Sequence, residues 1–286
     1  MALEVKEITV AHSPDSDDAF MFYALAGKKI DTRGLVVNQV YKDIQTLNQE
    51  ALEGRYEVSA VSMAAYPYIK DQYMLMPCGA SMGDKYGPVL IAREPMTVDE
   101  LKKVTVAIPG KLTSAYLTLQ LFQPGLTVAE LPFDQIIDAV KDGTYDAGLL
   151  IHEGQLTYAE EGLHKVVDLG VWWHDVTGLP LPLGGNVIKR ELGTETMRSV
   201  TALLKEAIEY ALANRPEALE YALTFSRDLP DDLADRFVGM YVNEVTVDCG
   251  QRGRDAVAKM FEMANERGLF KEKIVPEFVS LDEVAV

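Results

Sequence analysis

Four histidines and two cysteines are all that the 286-residue chain holds of those two side chains. His152 stands out among them. It ends the apolar run Ala147-Gly148-Leu149-Leu150-Ile151, so its imidazole should emerge at the carboxyl edge of a strand, where open α/β sheets bind their ligands. A desolvated imidazole titrating near neutrality could act there as a general base. His12 follows the first predicted strand and could face the same edge. His164 and His174 lie among polar or aromatic, surface-like residues. No Ser-His-Asp order and no nucleophile elbow points to acyl transfer. Cys78 and Cys249 read as small buried hydrophobes. With so few Cys and His, neither a disulfide framework nor a structural zinc site is expected.

Two further strand-to-helix junctions carry hydroxyls. In Gly110-Lys111-Leu112-Thr113-Ser114-Ala115, Thr113 and Ser114 fall at a helix N-terminus, where N–H groups and the dipole favour an anion and the hydroxyls could donate as well. The spacing is not that of a P-loop. In Val58-Ser59-Ala60-Val61-Ser62-Met63, Ser62 follows a strand and starts the next helix. Either residue could simply cap its helix. If they come from opposite lobes, Ser62 and Thr113 together could clamp one carboxylate.

Short apolar runs alternate with amphipathic segments, which argues for βα units and a largely parallel sheet. Strands are predicted at Ile8–Ala11, Leu35–Tyr41, Val58–Val61, Val89–Ala92, Val104–Ile108 and Ala147–Ile151. Helices are predicted at Phe20–Ala26 (capped by Asp17 or Asp18), Asp43–Leu52, Ala64–Ile69, Thr97–Lys103, Thr113–Phe122 and Phe133–Lys141. Four more fit Thr196–Ala213, Pro216–Phe225, Asp231–Tyr241 and Arg252–Arg267. The Pro- and Gly-rich stretch Thr177–Gly185 suits a crossing between lobes. The fold expected is α/β and two-lobed, with a large lobe at 1–95 and 183–286, an inserted lobe at 96–182 and a ligand cleft between two crossings. Closure on ligand would hinge near Glu94-Pro95 and Pro182-Leu183.

Composition limits the partners. The chain is 48% hydrophobic and 25% charged, with a net charge of -17. Nucleic acid and anionic membrane surfaces need clustered Lys and Arg and are poor partners for it. Its start shows neither a basic n-region nor an apolar h-region, and no run has the apolar length of a membrane span, so a cytoplasmic protein is expected. A small molecule is the expected partner, with a homodimer left open.

Several motifs also resemble a known family. Ile151-His152-Glu153, Thr113-Ser114-Ala115-Tyr116, Asp168-Leu169-Gly170-Val171-Trp172-Trp173 and Thr177-Gly178-Leu179-Pro180-Leu181-Pro182-Leu183-Gly184 resemble the 1,4-dihydroxy-6-naphthoate synthases of the futalosine route to menaquinone. Phe20-Met21-Phe22-Tyr23-Ala24-Leu25, Ser62-Met63-Ala64-Ala65-Tyr66 and Tyr241-Val242-Asn243 fit the same family, in the same order. The resemblance implies a type II periplasmic-binding-protein-like fold and a lyase that converts cyclic dehypoxanthinyl futalosine to 1,4-dihydroxy-6-naphthoate without metal or cofactor. It puts the proton acceptor at His152 and substrate contacts at Ala60, Val61, Ser62, Thr113 and Ser114. The first loop departs from the family's Ser-Pro-Cys-Pro-Asn-Asp-Thr and reads Ser13-Pro14-Asp15-Ser16-Asp17-Asp18-Ala19. It keeps Ser13 and Asp18, counted here with the substrate-binding set, and gains two carboxylates. Asp15, if it faces the ligand, would repel an anion or accept hydrogen bonds from hydroxyls or an amine. The alternative from another class is a cytoplasmic solute-binding protein on the same scaffold, which needs no base at His152.

Overall fold

The structure, a computed structural model, describes residues 7–225 and 230–281. Its elements run β1 (Glu7–His12), α1 (Ser16–Ala26), β2 (Val36–Tyr41), α2 (Ile44–Leu52), β3 (Val58–Ser62), α3 (Tyr66–Ile69), β4 (Tyr73–Leu75), β5 (Ser81–Gly83) and β6 (Val89–Ala92). They continue β7 (Thr105–Ile108), α4 (Ser114–Phe122), β8 (Thr127–Glu130), α5 (Ile136–Lys141), β9 (Ala147–Leu150), α6 (Gly154–Thr157), β10 (His164–Asp168), α7 (Leu169–Thr177) and β11 (Leu181–Lys189). The C-terminal part is helical: α8 (Thr194–Ala213), α9 (Arg215–Leu223), α10 (Asp231–Tyr241), α11 (Glu244–Val247) and α12 (Gly250–Glu266).

Two compact units emerge. The first comprises 1–82, 184–254 and 275–286, and the second 83–183 and 255–274. Strand β6 pairs with β9 and β10 rather than with the first sheet.

The first unit holds a six-stranded sheet of order β2-β1-β3-β11-β4, with β5 also on β11. β1 runs parallel to β2 and β3, whereas β11 runs antiparallel to β3 and β4. The largely parallel expectation is thus corrected to a mixed sheet. The reason is the Pro/Gly-rich stretch: it does not stay irregular but ends in β11, which runs back beside β3 from Gly184 to Ile188. Helix α1 is apolar nearly all round, with Phe20, Met21, Phe22, Tyr23 and Ala24 all buried, and it packs against α8 and α9. Helix α8 is amphipathic. Val200, Leu203, Leu204, Ala207, Ile208 and Ala211 recur at helical spacing on its buried face.

The second unit holds a five-stranded sheet of order β10-β6-β9-β7-β8. β7 runs parallel to β8 and β9, and β6 antiparallel to β9 and β10. The helix expected over Thr97–Lys103 is only a 3-10 turn, Glu100–Lys103, preceded by Thr97, whose N–H and hydroxyl both bond Glu100. Phe133–Gln135 likewise forms a 3-10 turn ahead of α5.

Gly148 lets α5 settle on β9. A Cβ there would lie 2.5 Å from Ile136 Cγ2 and 3.0 Å from Val140 Cγ2, and both of those side chains are buried. Because both are β-branched and stiff, Gly148→Ala should push α5 off the strand and cost about 1–3 kcal/mol of stability. A thermal melt unchanged from wild type would show that the approach is looser than these distances imply.

Candidate active site

Ser62 ends β3 and precedes a 3-10 turn over Met63–Ala65, yet its side chain makes no cap bond. It is held instead by Asn48 of α2. Asn48 Oδ1 accepts the Ser62 backbone N–H at 2.8 Å, and Asn48 Nδ2 donates to Ser62 Oγ at 3.0 Å. With Oγ accepting from the amide, the hydroxyl keeps its own hydrogen to direct at a ligand. Asn48 was not singled out from sequence. The signal was there: a polar residue between Leu47 and Ala51 on the buried face of a helix must find a partner. Ala60 and Val61 lie on the same buried strand, and the Ala60 carbonyl accepts from Ser59 Oγ at 3.0 Å.

Thr113 is the N-cap of α4, as its spacing suggested, and its Oγ1 accepts from the Tyr116 N–H at 3.2 Å. The same hydroxyl donates to the Gly110 carbonyl at 2.7 Å. The Ser114 hydroxyl donates to the Leu183 carbonyl at 2.5 Å. Both hydroxyls therefore have backbone partners, and what α4 can turn towards an anion is its first-turn N–H groups and its dipole. The same part of the molecule explains the paired tryptophans. Trp172 meets Phe122 of α4 edge-on at 5.4 Å. Trp173 is fully buried and donates its indole N–H to the Pro180 carbonyl at 2.9 Å. Asp168 caps α7 through the Gly170 and Val171 N–H groups at 2.8 and 3.1 Å. A Cβ on Gly170 would fall 1.9 Å from the Tyr86 carbonyl oxygen, so only glycine fits there.

His152 lies just past β9, with φ +52°. Among the described residues only Lys28, Arg33 and Lys85 share the left-handed region without being glycine. For a side chain with a Cβ that geometry costs about 1–2 kcal/mol, and such residues gather at functional sites. The His152 carbonyl accepts the Gln155 N–H at 3.2 Å as the chain turns into α6. Its ring meets Phe133 with centroids 4.6 Å apart, tilted by 51°.

The first loop folds on itself. Asp18 Oδ2 accepts the Ser13 N–H at 2.7 Å. The N-cap of α1 is Asp15, not Asp17 or Asp18, and it makes no side-chain cap bond. The helix starts earlier than the apolar pattern suggested because Ser16, Asp17 and Asp18 form its first turn, where carboxylates suit the dipole. Asp15 and Asp17 are both buried.

The other histidines differ in setting. His164 is exposed on β10, and His174 Nε2 stands 3.9 Å from Asp84 Oδ1. His12 is buried, stacked on Phe22 at 4.3 Å and edge-on to Tyr41 at 4.9 Å. Its Nδ1 lies 3.0 Å from the Ser13 carbonyl, which can only accept, so Nδ1 carries the proton. Burial holds His12 below the usual imidazole range, against the opposing pull of the Ser13 carbonyl, the Asp15 charge and Gln39. The unfolded chain, with an ordinary value near 6.5, then binds a proton that the folded protein refuses. The stabilisation is complete above that value and is lost as pH falls through it towards the folded one, with a slope of at most about 1.4 kcal/mol per pH unit. His12→Asn should remove that slope from urea-unfolding free energies measured between pH 7.5 and 5. Identical slopes in the two proteins would mean that His12 protonates freely in the fold.

Comparison with known proteins bears first on the class. The fold is that of periplasmic binding proteins: a Candida albicans protein described as having that generic fold superposes with a TM-score of 0.70 over 98% of this chain and 99% of its own, at 13% identity. A solved protein of Archaeoglobus fulgidus is much nearer, at 45% identity and a TM-score of 0.90 over 93% of this chain and all of its own. Residues 8–266 match the profile of a family described as menaquinone biosynthesis. The 1,4-dihydroxy-6-naphthoate synthase of Thermus thermophilus is 38% identical over 96% of this chain and 100% of its own length. That of Streptomyces coelicolor is 34% identical over 92% of this chain and 94% of its own. The chain belongs to this menaquinone-biosynthesis family. None of its described helices is long and apolar enough to cross a membrane.

Proposed function

We propose that the chain catalyses the 1,4-dihydroxy-6-naphthoate synthase reaction in the cytoplasm, as a carbon–carbon lyase that needs no metal or cofactor. Its substrate is cyclic dehypoxanthinyl futalosine, and its products are the naphthoate and a ribose-derived fragment. The observation that carries this reading is the match, along nearly the whole chain, to two relatives that bear that name. Neutral His152 takes a proton from the substrate. The electrons released break the carbon–carbon bond to the sugar-derived part, and the naphthalene ring becomes aromatic. Ser62, oriented by Asn48, donates its hydroxyl to the substrate. The first-turn N–H groups of α4 receive an anionic oxygen. Ser13 and Asp18 belong to a loop that contacts the sugar-derived part.

The test is direct. Purified protein is incubated with cyclic dehypoxanthinyl futalosine, and the naphthoate is sought by mass spectrometry. Product forming in proportion to enzyme supports the reading. If none forms while the Thermus thermophilus relative turns over under the same conditions, the chain is a binding protein on an enzyme scaffold.

A further inference from the structure

We infer that Phe133 is a positioning residue whose ring fixes the plane of the His152 imidazole. The inference rests on His152 being the base that takes the substrate proton. A residue just past a strand end, in left-handed backbone, has its Cβ direction set by the chain, but rotation about its side-chain bonds still lets the imidazole swing. One restraint on that swing is the ring of Phe133, centred 4.6 Å away and inclined at 51°.

Phe133 is itself tied to the strand that carries His152. It opens the 3-10 turn Phe133–Gln135 that runs straight into α5. The first residue of α5, Ile136, is buried against Gly148 in the middle of β9, and Val140 packs one turn further on. β9 ends at Leu150. The strand and the helix turn thus form one packed piece, which delivers the imidazole from one side and the phenyl ring from the other. An aliphatic side chain at 133 could fill part of the volume, but it would lack the flat face that selects one ring plane. Proton transfer is sensitive to that plane, because the accepting nitrogen's lone pair lies in it.

The experiment compares Phe133→Leu and Phe133→Tyr, each alone and combined with His152→Ala. Turnover of cyclic dehypoxanthinyl futalosine is read as separate kcat and KM, and the His152 ring C–H resonance is followed by NMR in the free proteins. Phe133→Leu should lower kcat about 10- to 100-fold with KM nearly constant and should move the His152 resonance as the ring current is lost. Phe133→Tyr, which keeps the flat ring, should restore most of kcat. In the His152→Ala background Phe133→Leu should cost nothing more. Three results would overturn the inference: KM raised at unchanged kcat, which makes the ring a substrate platform; the same fold-loss in both backgrounds, which makes it independent of His152; or wild-type kcat in Phe133→Leu. Full turnover in His152→Ala would instead remove the base and this inference with it. Phe133→Tyr serves as the folding control, since a loss of kcat in Phe133→Leu that comes only from unfolding shows as a collapsed NMR spectrum with kcat per folded molecule unchanged, which also counts against positioning.

Discussion

His152→Ala should retain ligand binding and lose turnover about 10²–10⁴-fold, the usual cost of removing a general base. The size follows from what the enzyme supplies. In the proposed reaction, aromatisation of the product makes the cleavage favourable overall, and the barrier lies in removing a proton at the right place and moment. A base held in a fixed position supplies that step, whereas water and buffer supply it poorly. The groups proposed to bind substrate belong to other elements: Ser62 with Asn48 at the end of β3, and the N-terminus of α4 behind Thr113. None of the hydrogen bonds described above for these groups involves His152, so KM should change little while kcat falls. A His152→Gly comparison separates chemistry from backbone strain. Glycine accepts φ +52° without penalty, so it should be at least as stable as the alanine variant and equally slow. Full activity in either variant would dismiss the role and turn attention to His12, the other histidine that follows a strand.

The candidate site was legible where chemistry and backbone pattern coincide. His152 stands out as a candidate because an apolar strand of four or five residues ends in a polar, titratable group. Thr113 could be found because a hydroxyl before an amphipathic run is a cap, and the structure shows that cap. Less visible were partners supplied from far along the chain. Asn48 reaches Ser62 across 14 positions and Ser114 reaches the Leu183 carbonyl across 69, and a single sequence shows no such pairings. The Thr113 hydroxyl bonds locally, to the Gly110 carbonyl three residues back, whereas that of Ser114 reaches a carbonyl far along the chain.

The fold shows the same division. Helices α8 and α10 were plain from their 3.6-residue pattern, and α10 matches its expected limits. β11 was hidden because Pro182, Gly184 and Gly185 are poor strand formers by propensity. Their strand is imposed by pairing with β3, and Pro182 falls ahead of the register that begins at Gly184. That one strand is also why the first sheet is mixed rather than parallel. The apolar pattern starts α1 four residues late, at Phe20 instead of Ser16, for a related reason: a polar turn, Ser16-Asp17-Asp18, opens α1 and carries no apolar periodicity to mark it.

Trp173→Ala should be the most destabilising single change in the second unit, costing about 3–5 kcal/mol out of a total that is about 5–15 kcal/mol for an ordinary domain. The indole is fully buried, so its removal leaves a large cavity, and it also strips the Pro180 carbonyl of its 2.9 Å hydrogen bond. The consequence should reach the site. Pro180 and Leu183 belong to one extended run, whose carbonyls are held by Trp173 and by Ser114 at the start of α4. Trp172, beside it, packs edge-on against Phe122 at the other end of that helix. The two tryptophans thus brace α4 through its C-terminal end and through the strand that its first residue grips. Freeing the run should let Ser114 and the α4 N-terminus shift, so affinity for the naphthoate, the proposed product, should fall along with stability. Trp173→Phe divides the two effects: it keeps most of the packing and loses the hydrogen bond, for which about 1 kcal/mol is expected. Thermal melts and product titration on the same samples measure both. A Trp173→Ala protein that melts within a degree or two of wild type, or one much less stable that binds product as tightly when kept cold, would break the link drawn here between the tryptophan and the α4 N-terminus.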